Sequence, residues 1–104
     1  MAFEIKWSKR AEDCLDSIFH YIREVDSEYS ASTFINKIFD KTDSLIRNPN
    51  WAGVEIRDLP VSGFRFILVS NYKIVYAVHG KNVEIVAVVH KARLLKDFFE
   101  SGEA

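Results

Sequence analysis

The fold is decided by residues 64–93, which read FRFILVSNYKIVYAVHGKNVEIVAVVHKAR. This stretch holds three apolar runs rich in β-branched and aromatic residues, separated by two groups of turn-forming residues. The runs are residues 64–69, 72–78 and 83–89, and the turns are Ser70-Asn71 and Gly80-Lys81-Asn82. Short turns between runs of this length predict three strands in an antiparallel meander.

The N-terminal half predicts one strand and two amphipathic helices. Residues 3–7 alternate between apolar and charged side chains, as in a half-buried strand. Ser8 can cap a helix over residues 8–25, in which apolar residues recur every three or four positions. A second, wider apolar stripe follows the break at residues 26–30 and ends at Asn48-Pro49. Because the connection is short, we expect an antiparallel helical pair whose two stripes face the same sheet.

The order of these elements predicts a single α+β domain over residues 1–104, of the form βααβββ. The antiparallel helical pair is expected to pack on one face of a small sheet and to leave the opposite face partly open. Residues 49–63, between the second helix and the meander, predict a long loop that contains Trp51. A large aromatic residue among turn formers often anchors a partner, so Trp51 is a candidate binding residue.

Composition and charge narrow the class of protein. Fourteen Lys and Arg against fifteen Asp and Glu give a formal net charge of -1, so the chain lacks the strong positive field of a non-specific nucleic-acid binder. Cys14 is the only cysteine, which excludes an internal disulfide and favours a reducing compartment. With no signal peptide and no membrane-spanning run, we expect a cytoplasmic protein that does not associate with membranes. The three histidines lack metal-ligand spacing and the sequence has no glycine-rich phosphate loop, so neither a metal nor a cofactor is expected.

Five short motifs resemble those of one family of proteins. The motifs are Trp7-Ser8-Lys9-Arg10-Ala11, Leu45-Ile46-Arg47-Asn48-Pro49, Phe64-Arg65, Tyr72-Lys73-Ile74-Val75-Tyr76 and Val88-Val89-His90-Lys91-Ala92-Arg93. In this order, nearly end to end, the chain resembles the ParE/RelE superfamily of bacterial toxins. The resemblance implies a type II toxin–antitoxin system, in which a cognate antitoxin wraps the toxin with a disordered segment that folds on contact. In that superfamily, ParE-like proteins poison DNA gyrase and RelE-like proteins cut mRNA in the ribosome.

A RelE-like activity needs cations to hold the scissile phosphate and a group to move the proton of the 2′-hydroxyl. The resemblance implies sheet cations at Arg65 and Lys73, with a further Arg at Ala92 or, with a one-residue slip, at Arg93. The usual C-terminal Tyr maps near Phe98, which has no hydroxyl. The candidate catalytic residues of this alternative are Arg65, Lys73, His90 and Arg93.

The length of the Ser70-Asn71 turn tests whether Arg65 and Lys73 can act together. If the turn has two residues, Arg65 pairs with Tyr76, and Lys73 lies beside Leu68 on the other face of the sheet. One phosphate could not then contact both cations. A three-residue turn would place them on the same face.

The segment Val88 to Arg93 is more similar to the ParE-type ending, a valine-rich strand followed by His-x-Ala-Arg, and we favour that subgroup. The expected target-binding residues are Arg65, His90, Lys91, Arg93 and Trp51, with the cations projecting into a shared recess. Two alternatives stay open: a ribosome-dependent mRNA endoribonuclease, and an inactive member that only binds antitoxin. Lys73 and His90 also have structural interpretations, as a surface lysine and as a hydrogen-bonded histidine.

The partner predicted under each of these alternatives is a cognate antitoxin. Its folding segment is expected to lay apolar side chains along the helical pair or to add a strand to a sheet edge. The apolar tail Leu94-Leu95-Lys96-Asp97-Phe98-Phe99 either contacts that partner or pairs two copies of the chain as a homodimer.

Overall fold

The computed structural model describes residues 3–47, 49, 53–56 and 63–93. In chain order the elements are β1 (Glu4–Trp7), α1 (Lys9–Val25), α2 (Glu28–Asp43), a 3-10 turn (Ser44–Ile46), β2 (Val54–Glu55), β3 (Phe64–Val69), β4 (Tyr72–His79) and β5 (Asn82–His90). The strands form one sheet in the order β1-β5-β4-β3-β2. The predicted α+β architecture, with a helical pair before an antiparallel meander, is confirmed.

Serine caps start both helices where the sequence pattern changes. The Ser8 side chain accepts the Ala11 amide at 3.0 Å, and the Ser27 side chain accepts the Ser30 amide at 3.0 Å. Each cap satisfies an amide that has no partner within the helix. The helix predicted over residues 8–25 is therefore α1, with Ser8 as its cap.

The first strand joins the sheet beside the last one. Residues Glu4–Trp7 pair in parallel with residues 82–85 of β5, whereas all other neighbouring strands are antiparallel. A parallel pair requires a long connection, which here contains both helices and strands β2 to β4. Both helices pack into one core cluster with the same side of the sheet, which we call the helix face; we call the opposite side the far face.

Two local predictions need correction. The loop predicted over residues 49–63 contains a short strand, β2, in which Val54 pairs with Phe66 and Glu55 with Arg65. Two residues are too few to show alternation, so only the tertiary pairing defines this strand. Asn82 pairs with His79, so the second hairpin turn has two residues rather than three.

The tail predicted to dock or dimerise begins at Leu94, outside the described residues.

The main core lies between the helices and the sheet. Its buried side chains include Ala11, Leu15, Ile18, Ile38, Leu45, Ile74, Tyr76, Val83 and Ile85. A second, smaller cluster on the far face consists of Ile56, Val75, Ala87 and Val89. The far face is thus open at its β3 margin, where Leu68 is 51% exposed, but not at its centre, where Val75 and Ala87 are fully buried.

Replacing Ser70 with glycine is expected to raise the free energy of unfolding by about 0.5–1 kcal/mol. Ser70 opens the β3–β4 turn with a φ of +56°, where a Cβ atom is strained. Glycine removes that strain, although its larger unfolded-state entropy cancels part of the gain. Urea denaturation measures the change. Ser70→Ala keeps the Cβ atom and is the control; an equal gain in both variants would show that backbone strain is not the cause.

Candidate functional site

The β3–β4 turn decides how the predicted cations are arranged. Val69 pairs with Tyr72, so Ser70 and Asn71 form a two-residue turn, and Arg65 pairs with Tyr76. Leu68 pairs with Lys73, which places Lys73 on the far face and Arg65 on the helix face. The structure therefore realises the two-residue alternative, and the two cations cannot contact one phosphate from the same side.

Arg65 is bound within the protein at the start of β3. Its Nη2 donates a 2.6 Å hydrogen bond to the carbonyl oxygen of Gly53. The half-buried side chain also hydrogen-bonds Tyr76, and its buried Nε has no hydrogen-bond partner among the described residues. These contacts make Arg65 a link between β3 and the segment before β2.

Tyr76 completes this link from the neighbouring strand. Its side chain is fully buried, and its hydroxyl donates a 2.6 Å hydrogen bond to the carbonyl oxygen of Pro49. Burial raises the pKa of the Tyr76 phenol, while the hydrogen bond and charge of Arg65 and a backbone hydrogen bond with Gly53 oppose the rise. The phenol remains a donor at neutral pH, so Tyr76 and Arg65 fix the chain on both sides of Trp51, which itself lies outside the described residues.

Lys73 has different surroundings on the far face. Its ammonium lies 4.8 Å from the centre of the Phe66 ring, a cation–π contact. Within the described strands β3 to β5, Lys73 is the one Lys or Arg on this face, and its neighbours on β3 are Phe66 and the exposed Leu68. Around Lys73, the described part of this face is therefore mainly apolar.

The remaining predicted cations come together where β5 ends. His90, Lys91, Ala92 and Arg93, which we call the 90–93 turn, are all exposed. The Lys91 amide donates to the carbonyl oxygen of Asn71 at 2.7 Å, and the Arg93 amide donates to that of His90 at 3.0 Å. The Ala92 amide donates to Nδ1 of the His90 ring at 3.1 Å. Two exposed cationic residues thus belong to a turn whose backbone is held by hydrogen bonds.

Helix α1 brings a further arginine to this region. The Ser8 hydroxyl donates to the carbonyl oxygen of Val86 at 3.1 Å, so α1 starts beside the part of β5 that β1 does not cover. Burial raises the pKa of the Cys14 thiol, while a backbone hydrogen bond with Val88 and the positive charges of Arg10 and Arg93 oppose the rise. Arg10 and Arg93 therefore act on the same thiol. The sequence analysis did not select Arg10, although it belongs to the Trp7–Ala11 motif.

The predicted site residues do not form one recess. Arg65 pairs with Tyr76 and His90 with Tyr72, so four residue steps separate them along β4. That spacing is about 13 Å along the strand, before the lateral offset of two strands is added. The structure brings His90, Lys91 and Arg93 together and places Arg65 and Lys73 elsewhere, which corrects the expectation of a shared recess.

The described residues contain no group of three His, Cys, Asp or Glu side chains arranged to hold a metal ion. No described helix is both long and apolar enough to cross a membrane.

A helical pair backs the five-stranded sheet, and a cationic turn follows its last described strand. Residues 5–95 match the family described as the ParE toxin of the type II toxin–antitoxin system parDE. The chain belongs to this family. No curated protein matches the chain significantly.

Solved structures of toxin–antitoxin proteins share the fold. The chromosomal ParDE system from P. aeruginosa matches with a TM-score of 0.75 and 19% identity, over 85% of this chain and 95% of that one. The RelBE2 toxin–antitoxin complex from Mycobacterium tuberculosis gives a TM-score of 0.61 and 16% identity, over 86% and 99% of the two chains. The YoeB dimer from Staphylococcus aureus matches with a TM-score of 0.58 and 18% identity, over 85% of this chain and 95% of that one. Identities this low establish a shared fold and nothing more.

Proposed function

We propose that this toxin acts in the cytoplasm by binding DNA gyrase through the 90–93 turn, without bond chemistry of its own. The observation that carries the proposal is the arrangement of the cations. Lys91 and Arg93 lie exposed on a hydrogen-bonded turn at the end of a strand, and Arg65 is half-buried beside Gly53 and Tyr76. A charged, well-ordered projection suits recognition of a macromolecular surface.

The geometry gives less support to a ribosome-dependent endoribonuclease. Arg65 and Lys73 lie on opposite faces of the sheet, so they do not form the expected phosphate clamp. His90 accepts the Ala92 amide on Nδ1, and a neutral imidazole of that kind carries its proton on Nε2. Neither ring nitrogen then has an available lone pair for a general base. Induced cells are accordingly expected to keep their transcripts intact at ribosomal A-site codons.

A cognate antitoxin is the second proposed partner. The RelBE2 structure is a toxin–antitoxin complex, and so is a YoeB–YefM structure from Staphylococcus aureus. Where α1 meets α2, this chain exposes large apolar side chains: Tyr21 at 62%, Val25 at 64% and Tyr29 at 81%. Surfaces of this kind receive the apolar side chains of folding peptides, and the near-neutral net charge favours an apolar contact over an electrostatic one.

Gyrase supercoiling tests the proposal directly. The purified chain is expected to inhibit supercoiling of relaxed plasmid, and the double variant Lys91→Ala, Arg93→Ala is expected to be weaker by at least about tenfold, as for the loss of an interface hot spot. Lys37→Ala, Lys41→Ala removes the same charge from the exposed side of α2 and is the matched control. Supercoiling that continues at high molar excess of the wild-type chain would contradict the gyrase proposal.

A further inference from the structure

We propose that His90 is the positioning residue of the 90–93 turn. Its neutral imidazole, protonated on Nε2, accepts the Ala92 amide and so restrains the backbone that carries Lys91 and Arg93. The inference deepens the proposed function and rests on it for its consequence in the cell. It assigns His90 a role as hydrogen-bond acceptor inside the turn, not as a group that contacts the target.

The amides of Lys91, Ala92 and Arg93 each donate a hydrogen bond within the described residues. The carbonyl oxygen of Asn71 holds the Lys91 amide, and the carbonyl oxygen of His90 holds the Arg93 amide. The Ala92 amide lies between these two and is bound by the His90 ring at 3.1 Å. Without the ring acceptor, this exposed amide would bond to water and the middle of the turn would lose its restraint.

Aromatic contacts orient the His90 ring for this bond. Tyr72 pairs with His90 in the register and meets its ring edge-on, with ring centroids 5.4 Å apart and an interplanar angle of 78°. Phe34 of α2 in turn packs against Tyr72, with ring centroids 5.4 Å apart. The imidazole is therefore oriented through a row of rings that begins on the helical pair, although His90 itself is exposed.

The chemistry of imidazole makes the role specific to one ring nitrogen. An imidazole that accepts at Nδ1 must carry its single proton on Nε2, and a doubly protonated ring has no acceptor at all. An asparagine side chain places its Oδ1 where histidine has Nδ1, and it commonly accepts the amide two residues ahead. A glutamine side chain is one carbon longer and places its amide near the position of Nε2.

His90→Asn keeps an acceptor at the position of Nδ1, and His90→Gln keeps a polar group near the position of Nε2. Comparing the two variants therefore separates the hydrogen bond to Ala92 from any role of Nε2. Amide hydrogen exchange of Ala92 in the full chain is expected to be similar in wild type and His90→Asn, and about five- to tenfold faster in His90→Gln, as for the loss of one hydrogen bond. The imidazole 15N shifts of the wild type are expected to show the Nε2-protonated tautomer. In the supercoiling assay, His90→Asn is expected to stay within about threefold of wild type, whereas His90→Gln loses about tenfold.

Equal Ala92 exchange in the two variants, or a wild-type ring protonated on Nδ1, would overturn the inference. Exchange that separates the variants while both inhibit gyrase equally would overturn the link between the turn and target binding. Both variants change an exposed strand end, and matching melting temperatures confirm that each is folded. If the wild type leaves gyrase untouched, the proposed function fails, and Ala92 exchange with the tautomer still decides the inference.

Discussion

Replacing Gly53 with alanine is expected to lower the free energy of unfolding by about 3 kcal/mol, the upper range for overpacking a filled site. A Cβ atom at this position would lie 2.7 Å from the carbonyl oxygen of Phe66 and 2.9 Å from Cε1 of Tyr76, and would also meet the Tyr76 hydroxyl. The Phe66 oxygen belongs to the sheet backbone, and the Tyr76 ring is fully buried. Neither neighbour can move away cheaply, so β2 must separate from β3 or the Tyr76 hydrogen bonds must break.

Gly63→Ala is the matched control for this prediction. Gly63 has a φ of +99°, so alanine is strained there, but its Cβ atom would meet nothing within 4 Å. The expected cost is backbone strain alone, about 1–2 kcal/mol. Urea denaturation of both variants compares the two causes. Equal costs would mean that the contact between Gly53, Phe66 and Tyr76 is looser than the structure shows.

Replacing Arg65 with alanine is expected to lower the free energy of unfolding by about 2 kcal/mol, the range for hydrogen bonds to charged groups. The change removes the donor to Gly53 and the guanidinium beside the Tyr76 hydroxyl. It leaves two acceptors without their donor at the segment before β2. Thermal and urea denaturation measure the loss, and limited proteolysis is expected to cut faster between residues 49 and 63.

Lys73→Ala is the control that distinguishes the two sheet cations. Its cation–π contact with Phe66 is half-exposed, so its removal is expected to cost less than about 1 kcal/mol. An Arg65→Ala variant that is as stable as wild type, yet no longer toxic, would instead identify Arg65 as a target contact. Loss of both toxicity and stability would agree with the structural role.

The long elements could be predicted because local patterns determine them. The strands of the meander and the helix after Ser8 follow from alternation, three- and four-residue spacing, and a capping side chain. Two features had no such local signal. The β2 strand has only two residues, and the parallel contact of β1 with β5 joins segments about 78 residues apart. Both depend on tertiary pairing, which period and propensity do not encode.

The residues of the candidate site also differ in how far the sequence could predict their arrangement. His90, Lys91 and Arg93 are consecutive or nearly so, and a strand end keeps them together whatever the rest of the fold does. The relation of Arg65 to Lys73 depended on whether the intervening turn has two or three residues, because one residue reverses every side chain on a strand. The contact of Arg65 with Gly53 and the place of Arg93 near Cys14 required the three-dimensional packing.

The parallel pairing of β1 with β5 has a consequence for biosynthesis. Within the described part of the chain, residues 4–7 pair with residues 82–85 alone, so translation must pass the last described strand before the first can bind it. The 90–93 turn is made later still. A ribosome stalled before residue 82 therefore holds a chain whose sheet is incomplete, and such long-range closure slows folding relative to a helical protein of equal length.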